Sequence, residues 1–184
     1  MADDQDVVGV LTHDHREVQE LFAEVEVTID AGKLRKLTDQ VNTELTRHSV
    51  AEEQYLYPAV RDHIPGGEAL ADKEIEDHRK VEEALKTLEK MDTEHPQFMT
   101  TFRQMSNEVR AHIKEEEEEL FPQLREHATS DELRELGAKI QKAKKRAPTR
   151  PHPSSPDTPP MNKILGAGAG VIDRVRDKLT GRGK

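Results

Sequence analysis

The chain has no cysteine and no tryptophan, and aromatics make up only 3% of its 184 residues. Without cysteine there are no disulfides, no thiolate-held iron–sulfur clusters and no cysteine zinc fingers. With so few aromatics and 35% charged residues, candidates for β-strands are scarce, and the composition is that of a helical bundle. Long hydrophobic runs are missing too. The longest, Ile164 to Ile172, is nine small or apolar residues, well short of a membrane span. The first residues, Met1-Ala2-Asp3-Asp4-Gln5-Asp6, are acidic and lack the basic and apolar regions of a signal peptide. A soluble cytoplasmic protein is therefore expected. The net charge of −9 hides an asymmetry, because residues 1–128 are strongly acidic and residues 129–184 are basic. The acidic front is not expected to bind nucleic acid by itself.

What the chain does contain is one pattern written twice. His15 is followed some thirty residues later by His48 and Glu52, and His78 in the same way by His112 and Glu116. The flanking residues match as well: Asp14-His15-Arg16 with Asp77-His78-Arg79, and Leu56 and Pro58 with Leu120 and Pro122.

These residues fall on four amphipathic segments with apolar residues at three- and four-residue spacing. The first runs from Val8 through Leu11, Val18 and Phe22 to Ile29. The second runs from Leu34 through Val41 and Leu45 to Ala59. The third includes Ile75, Val81, Leu85 and Leu88, and the fourth runs from Phe98 through Met105 and Val109 to Leu120. The breaks are short, which forces antiparallel neighbours. The reading is all-α: an up-down-up-down four-helix bundle over residues 1–128. A short helix follows over 129–146, started by Ser130. The Pro-rich stretch 147–160 is expected to be an extended, disordered linker, and 161–184 a basic amphipathic tail.

The two histidine–glutamate pairs and the two lone histidines occupy seam positions, where Leu or Val is expected. Each pair spans about one turn and shares a face. The heights agree: His15 lies sixteen residues before Ala31 and His48 seventeen after it, while Glu52 and His78 each lie thirteen from Pro65. All four helices thus deliver polar side chains to one core layer. Pro58 and Pro122, six residues after Glu52 and Glu116, are expected to bend their helices just beyond that layer.

Two buried carboxylates beside four imidazoles need a counter-charge. Two metal cations supply one, and this donor set suits iron, manganese or zinc. If both glutamates bridge, each metal has two nitrogens and two oxygens. An oxo or hydroxo bridge then leaves one position open on each for a small molecule.

Residues 8–127, with the phrases Asp14-His15-Arg16-Glu17-Val18, Glu52-Glu53-Gln54-Tyr55-Leu56-Tyr57-Pro58 and Glu116-Glu117-Glu118-Glu119-Leu120-Phe121-Pro122, resemble the hemerythrin-like family of HHE cation-binding domains. The resemblance implies a non-heme diiron centre with His15, His48, Glu52, His78, His112 and Glu116 as metal ligands. Its cofactor is then two oxo- or hydroxo-bridged iron ions, with manganese or zinc as lesser alternatives. The expected partners are O2, hydrogen peroxide or nitric oxide, and a reductant that the sequence does not identify. The site is poorer in histidine and richer in carboxylate than in the oxygen-carrying hemerythrins, which favours weak peroxidase, catalase-like or nitric-oxide chemistry over reversible oxygen carriage. The alternative is iron sensing or buffering without turnover.

Around these six, Tyr55 is a candidate neighbour of the metals, against the plainer expectation of a half-buried place at the bundle rim. His13 is expected to be exposed, and His63 and His127 to sit at helix C-termini. Glu53, Glu115, Glu117, Glu118 and Glu119 are read as a solvated acidic face, and Asp14 and Asp77 as surface ion-pair partners. The basic tail suits an anionic membrane surface, a protein partner or unspecific contact with nucleic acid. No sequence-specific nucleic-acid binding is expected.

Overall fold

A computed structural model describes residues 5–152, 169–173 and 175–177; the rest of the expected linker and tail lies outside the described residues. The order is α1 (Val7–Val27), α2 (Ala31–Ala51), α3 (Tyr57–His63), α4 (Gly67–Lys90), α5 (Phe98–Glu115), α6 (Phe121–His127) and α7 (Ser130–Lys144). No strand occurs among the described residues, and none of their helices is long and apolar enough to cross a membrane.

Local chemistry sets the helix starts. Asp6 and Asp30 cap α1 and α2 by accepting from the backbone N–H of Gly9 and Lys33. Gly66 turns the chain into α4 with φ of 77°, a left-handed conformation that suits glycine. The cap of α7 is Thr129, one residue earlier than the expected Ser130. Thr129 and Glu132 bond reciprocally to each other's backbone N–H, and this capping box moves Ser130 into the first turn.

Helix α1 packs against α2 and α5, while α4 packs against α5 and α2, which closes the four-helix ring. Two apolar clusters fill it. One holds Leu11, Leu56, Tyr57, Ile75, Leu120, Phe121 and Leu124. The other holds Val18, Phe22, Leu45, Val81, Leu85, Phe102, Met105, Val109 and Ile113. The polar layer lies between them: His15 falls between Leu11 and Val18, and His78 between Ile75 and Val81.

The proline effect differs from the expected bend. The distortion begins on the glutamates rather than beyond them, as π-helical turns over Glu52–Leu56 and Glu116–Leu120. Pro58 and Pro122 have no N–H, and their rings crowd the carbonyl one turn back. The preceding turn widens, so Tyr57 and Phe121 donate to the carbonyls of Glu52 and Glu116, five residues away.

Helix α7 lies on α1 and α2. Gly137 permits this approach, because a Cβ there would lie 2.5 Å from the carbonyl oxygen of Gln5. Residues 147–152, the first part of the expected linker, run along α2 and α4. Thr43 donates to the Thr149 carbonyl, Lys86 to that of Pro151, and the His152 N–H to Glu82.

Candidate metal centre

All six residues of the doubled pattern are buried in one layer, with Glu52 and Glu116 fully so. Each glutamate faces both halves of the duplication. Glu52 lies 3.0 Å from His48 Nε2 and 3.3 Å from His78 Nε2. Glu116 lies 3.3 Å from His15 Nε2 and 3.6 Å from His112 Nε2. One group of donor atoms close enough to share a cation comprises His15, His48, Glu52 and Glu116; a second comprises Glu52, His78 and His112.

The outer ring nitrogens face four more carboxylates. His15 Nδ1 is hydrogen-bonded to Glu117 at 2.8 Å, His78 Nδ1 to Glu53 at 3.1 Å and His48 Nδ1 to Asp14 at 3.4 Å. His112 Nδ1 stands 2.8 Å from Glu74. A carboxylate behind each imidazole fixes the ring and leaves Nε2 as the inward lone-pair donor, the usual arrangement behind metal-bound histidines.

These contacts correct two sequence expectations. Glu53 and Glu117 are not part of a purely solvated face; each turns inward onto a histidine of the other half. Asp14 is not only a surface partner, because it joins His48 to Lys144 of α7. Its counterpart Asp77 does pair outward, with Lys73 and Lys80. His13 is exposed beside Glu17, and His63 and His127 end α3 and α6 as expected.

Glu74 and Tyr57 escaped the sequence reading. Glu74 lies four residues before His78 and is fully buried, where the other half has Leu11 before His15. The Tyr57 hydroxyl stands 3.0 Å from His78 Nε2 and donates to Glu116 at 3.3 Å, while the matching Phe121 stacks on His15. The site neighbour is therefore Tyr57 rather than Tyr55. The π turn brings the residue five positions after Glu52 onto its face and leaves Tyr55 half-buried at a rim groove facing α7. Two tyrosines beside a proline that follows a ligand-type glutamate were the available signal. The two halves of the site are thus unequal, since one has a phenol and an extra carboxylate where the other has a phenyl and an isobutyl group.

The electrostatics call for positive charge. Burial alone would lower the His48 pKa, but the nearby Glu52 charge and the hydrogen bond to Asp14 push it up to about 10. His78 is likewise raised against burial by Glu52 and Glu53. Glu52 is held well below its usual range; burial opposes this, and His48 and His78 outweigh it. Tyr57 is kept a neutral phenol by burial and by the charges of Glu52 and Glu116. Even so, His15 Nε2, both oxygens of Glu52, both of Glu74, His112 Nδ1 and Glu116 Oε2 are buried without a directed hydrogen bond. Buried polar atoms of native proteins are rarely left so. Imidazole nitrogens and carboxylate oxygens in this number fit divalent or trivalent transition-metal ions.

Glu74→Leu copies Leu11 of the other half. It is expected to lower the stability of the metal-free bundle in urea unfolding, because it leaves His112 Nδ1 buried without its carboxylate. Metal affinity, measured by chelator competition, is expected to fall about 10–100-fold.

The family model of the hemerythrin HHE cation-binding domain matches residues 6–124. An uncharacterized hemerythrin-like protein of Schizosaccharomyces pombe is 30% identical over 90% of this chain and 82% of its own length. A protein of a Nostoc species named as a DNA nickase is 27% identical over 80% of this chain, which spans only 41% of that longer protein. The crystal structure of a hemerythrin HHE cation-binding domain protein from Mycobacterium kansasii superposes with a TM-score of 0.67 at 24% identity, covering 76% of this chain and 85% of the other. The fold, the buried layer of histidines and glutamates and the extent of the match lead to one conclusion: the chain belongs to the hemerythrin HHE cation-binding family.

Proposed function

We propose that the bundle holds two iron ions, one between His15 and His48 and one between His78 and His112, with Glu52 and Glu116 shared, and that it acts on a small oxidant. The observation that carries this reading is the pair of glutamates, each facing an Nε2 from both halves, beside a small cavity. That cavity measures about 30 Å³ and is lined by all four histidines but by none of the three buried glutamates. It has room for one or two molecules the size of water, which suits O2, hydrogen peroxide or nitric oxide and excludes larger substrates. When bound, the iron pair supplies the electrons for reduction of the oxidant.

The chain's own residues do the rest. Glu53, Glu117, Asp14 and Glu74 hold the imidazole rings in orientation. Val18, Leu45, Val81, Val109 and Ile113 form apolar walls that keep bulk water away. Tyr57 is a neutral O–H at the His78 side that donates to Glu116 and so holds that carboxylate. Tyr57→Phe copies the Phe121 half and is expected to cost no more than about 1.5 kcal/mol of stability. It is also expected to leave metal content unchanged and to slow peroxide consumption, which stopped-flow measurement checks.

The test of the whole reading is metal analysis with an optical spectrum on protein purified aerobically from iron-supplemented cells, beside His112→Ala. Two irons per chain with the near-ultraviolet absorption of a bridged ferric pair, lost in the variant, support it. Zinc, or a well-folded protein without metal, overturns it. Iron sensing or buffering is the second reading. The unpaired buried atoms favour it, because they tie folding to metal occupancy. A steep gain of stability with Fe2+ and no consumption of peroxide or nitric oxide would select it.

A further inference from the structure

The cavity beside the histidines is separated from solvent by very little. Asp14, Glu17, Glu44 and Lys144 line its outer end, and the same four residues line a groove of about 760 Å³ on the outside of α1, α2 and α7. One layer of side chains is therefore both the wall of the cavity and the floor of the groove. It contains three carboxylates and a single ammonium. Glu17 and Glu44 face outward, beside His13 and Arg47. Lys144 bonds Asp14 across the middle, and the two side chains are only 19% and 10% exposed.

Lys144 is the last residue of α7, beyond the segment that the family model matches. Its position is fixed by the rest of that helix. The capping box at Thr129, buried Leu133 and Ile140, and the close approach at Gly137 hold α7 against α1 and α2. The ammonium itself sits on a flexible four-carbon stem and is readily replaced by another cation.

We propose that Lys144 is the gate of the metal pocket. The Asp14–Lys144 pair closes the passage between groove and cavity, and a divalent cation enters when it takes the ammonium's place on Asp14. Glu17 and Glu44 offer carboxylate oxygens at the mouth, among Arg16, Arg47 and Lys145 of the same groove. Closed, Lys144 blocks the path of an incoming cation. Open, it costs one partly exposed ion pair, so the gate delays entry and exit alike without changing the affinity of the pocket. This inference rests on the metal-pocket reading.

The test follows Co2+ absorption during uptake by the metal-free full-length chain, and its release to EDTA, for wild type, Lys144→Ala and Lys144→Arg. Lys144→Ala is expected to speed uptake and release together by about fivefold, the hold of one ion pair of this exposure, and to leave their ratio unchanged. Lys144→Arg restores near-wild-type rates. Unchanged uptake in Lys144→Ala overturns the gate. Faster release alone also overturns it, since Lys144 would then only position Asp14 behind His48. Absence of bound Co2+ in all variants and in wild type overturns the metal-pocket reading, and the gate with it.

Discussion

Glu52→Gln is expected to bring metal content from two ions per chain to below one and to abolish the stabilisation that metal gives. The side chain is shared: its two oxygens face His48 at 3.0 Å and His78 at 3.3 Å, one histidine from each half. An amide keeps the volume but offers one oxygen and an NH2 group. That group carries no lone pair for a cation, so one half of the site loses a donor whichever way the amide turns. Saturating metal stabilises a folded protein by roughly 4 kcal/mol at a thousand times the dissociation constant. At about 2–4 °C per kcal/mol for a chain of this size, wild type should melt some 8–16 °C higher with metal than without. Glu52→Gln should show almost none of this shift, whereas Glu53→Gln, which only loosens His78, should keep most of it. A Glu52→Gln protein that retains two ions and the full shift would mean that the carboxylate is not shared.

The parts of the site that could be read from the sequence are those that obey its two regularities, the duplication and the helical period. His15, His48, Glu52, His78, His112 and Glu116 appear in both copies at equal heights, and the structure brings them into one layer. What escaped breaks one regularity or the other. Glu74 has Leu11 as its counterpart, so a search for matched pairs passes over it. Tyr57 is hidden because α-helical spacing points to Tyr55, and only the π turn before Pro58 carries the phenol round to Glu52. Asp14 and Asp77 are equivalent in sequence but not in surroundings: α7 brings Lys144 over Asp14, while Asp77 meets Lys73 and Lys80 of its own helix. Among the glutamates from 115 to 119, Glu117 is hydrogen-bonded to His15 and Glu115 is paired with Lys73, and the residue-type pattern alone does not separate them.

Metal-free stability and metal affinity are expected to respond to pH in opposite directions. In the metal-free chain His48 holds its proton up to about pH 10, against 6.5 in the unfolded chain. A histidine raised in this way stabilises the fold fully below pH 6.5, and the contribution is lost as pH rises towards 10. The slope is about 1.4 kcal/mol per pH unit for one such group, so a few kcal/mol disappear between neutral and alkaline pH. His78, raised in the same direction, adds to the loss. Glu52 works from the other side: its lowered pKa stabilises the fold above about 4.5, and that contribution is lost as acid drives pH down through its folded value. The metal-free bundle should therefore be most stable between these limits and weaken steadily above pH 6.5. Metal uptake runs the other way, because the protons on His48 and His78 must leave before Nε2 can bind a cation. Apparent affinity should rise as pH rises, and the stabilisation by a redox-silent ion such as Zn2+ should be small near about pH 6 and large near about pH 9. Urea unfolding at those two pH values, with and without Zn2+, checks both slopes at once. A metal-free stability that is flat from neutral to alkaline pH would show that the buried imidazoles are already neutral, and exchange of protons for metal would then not govern this core.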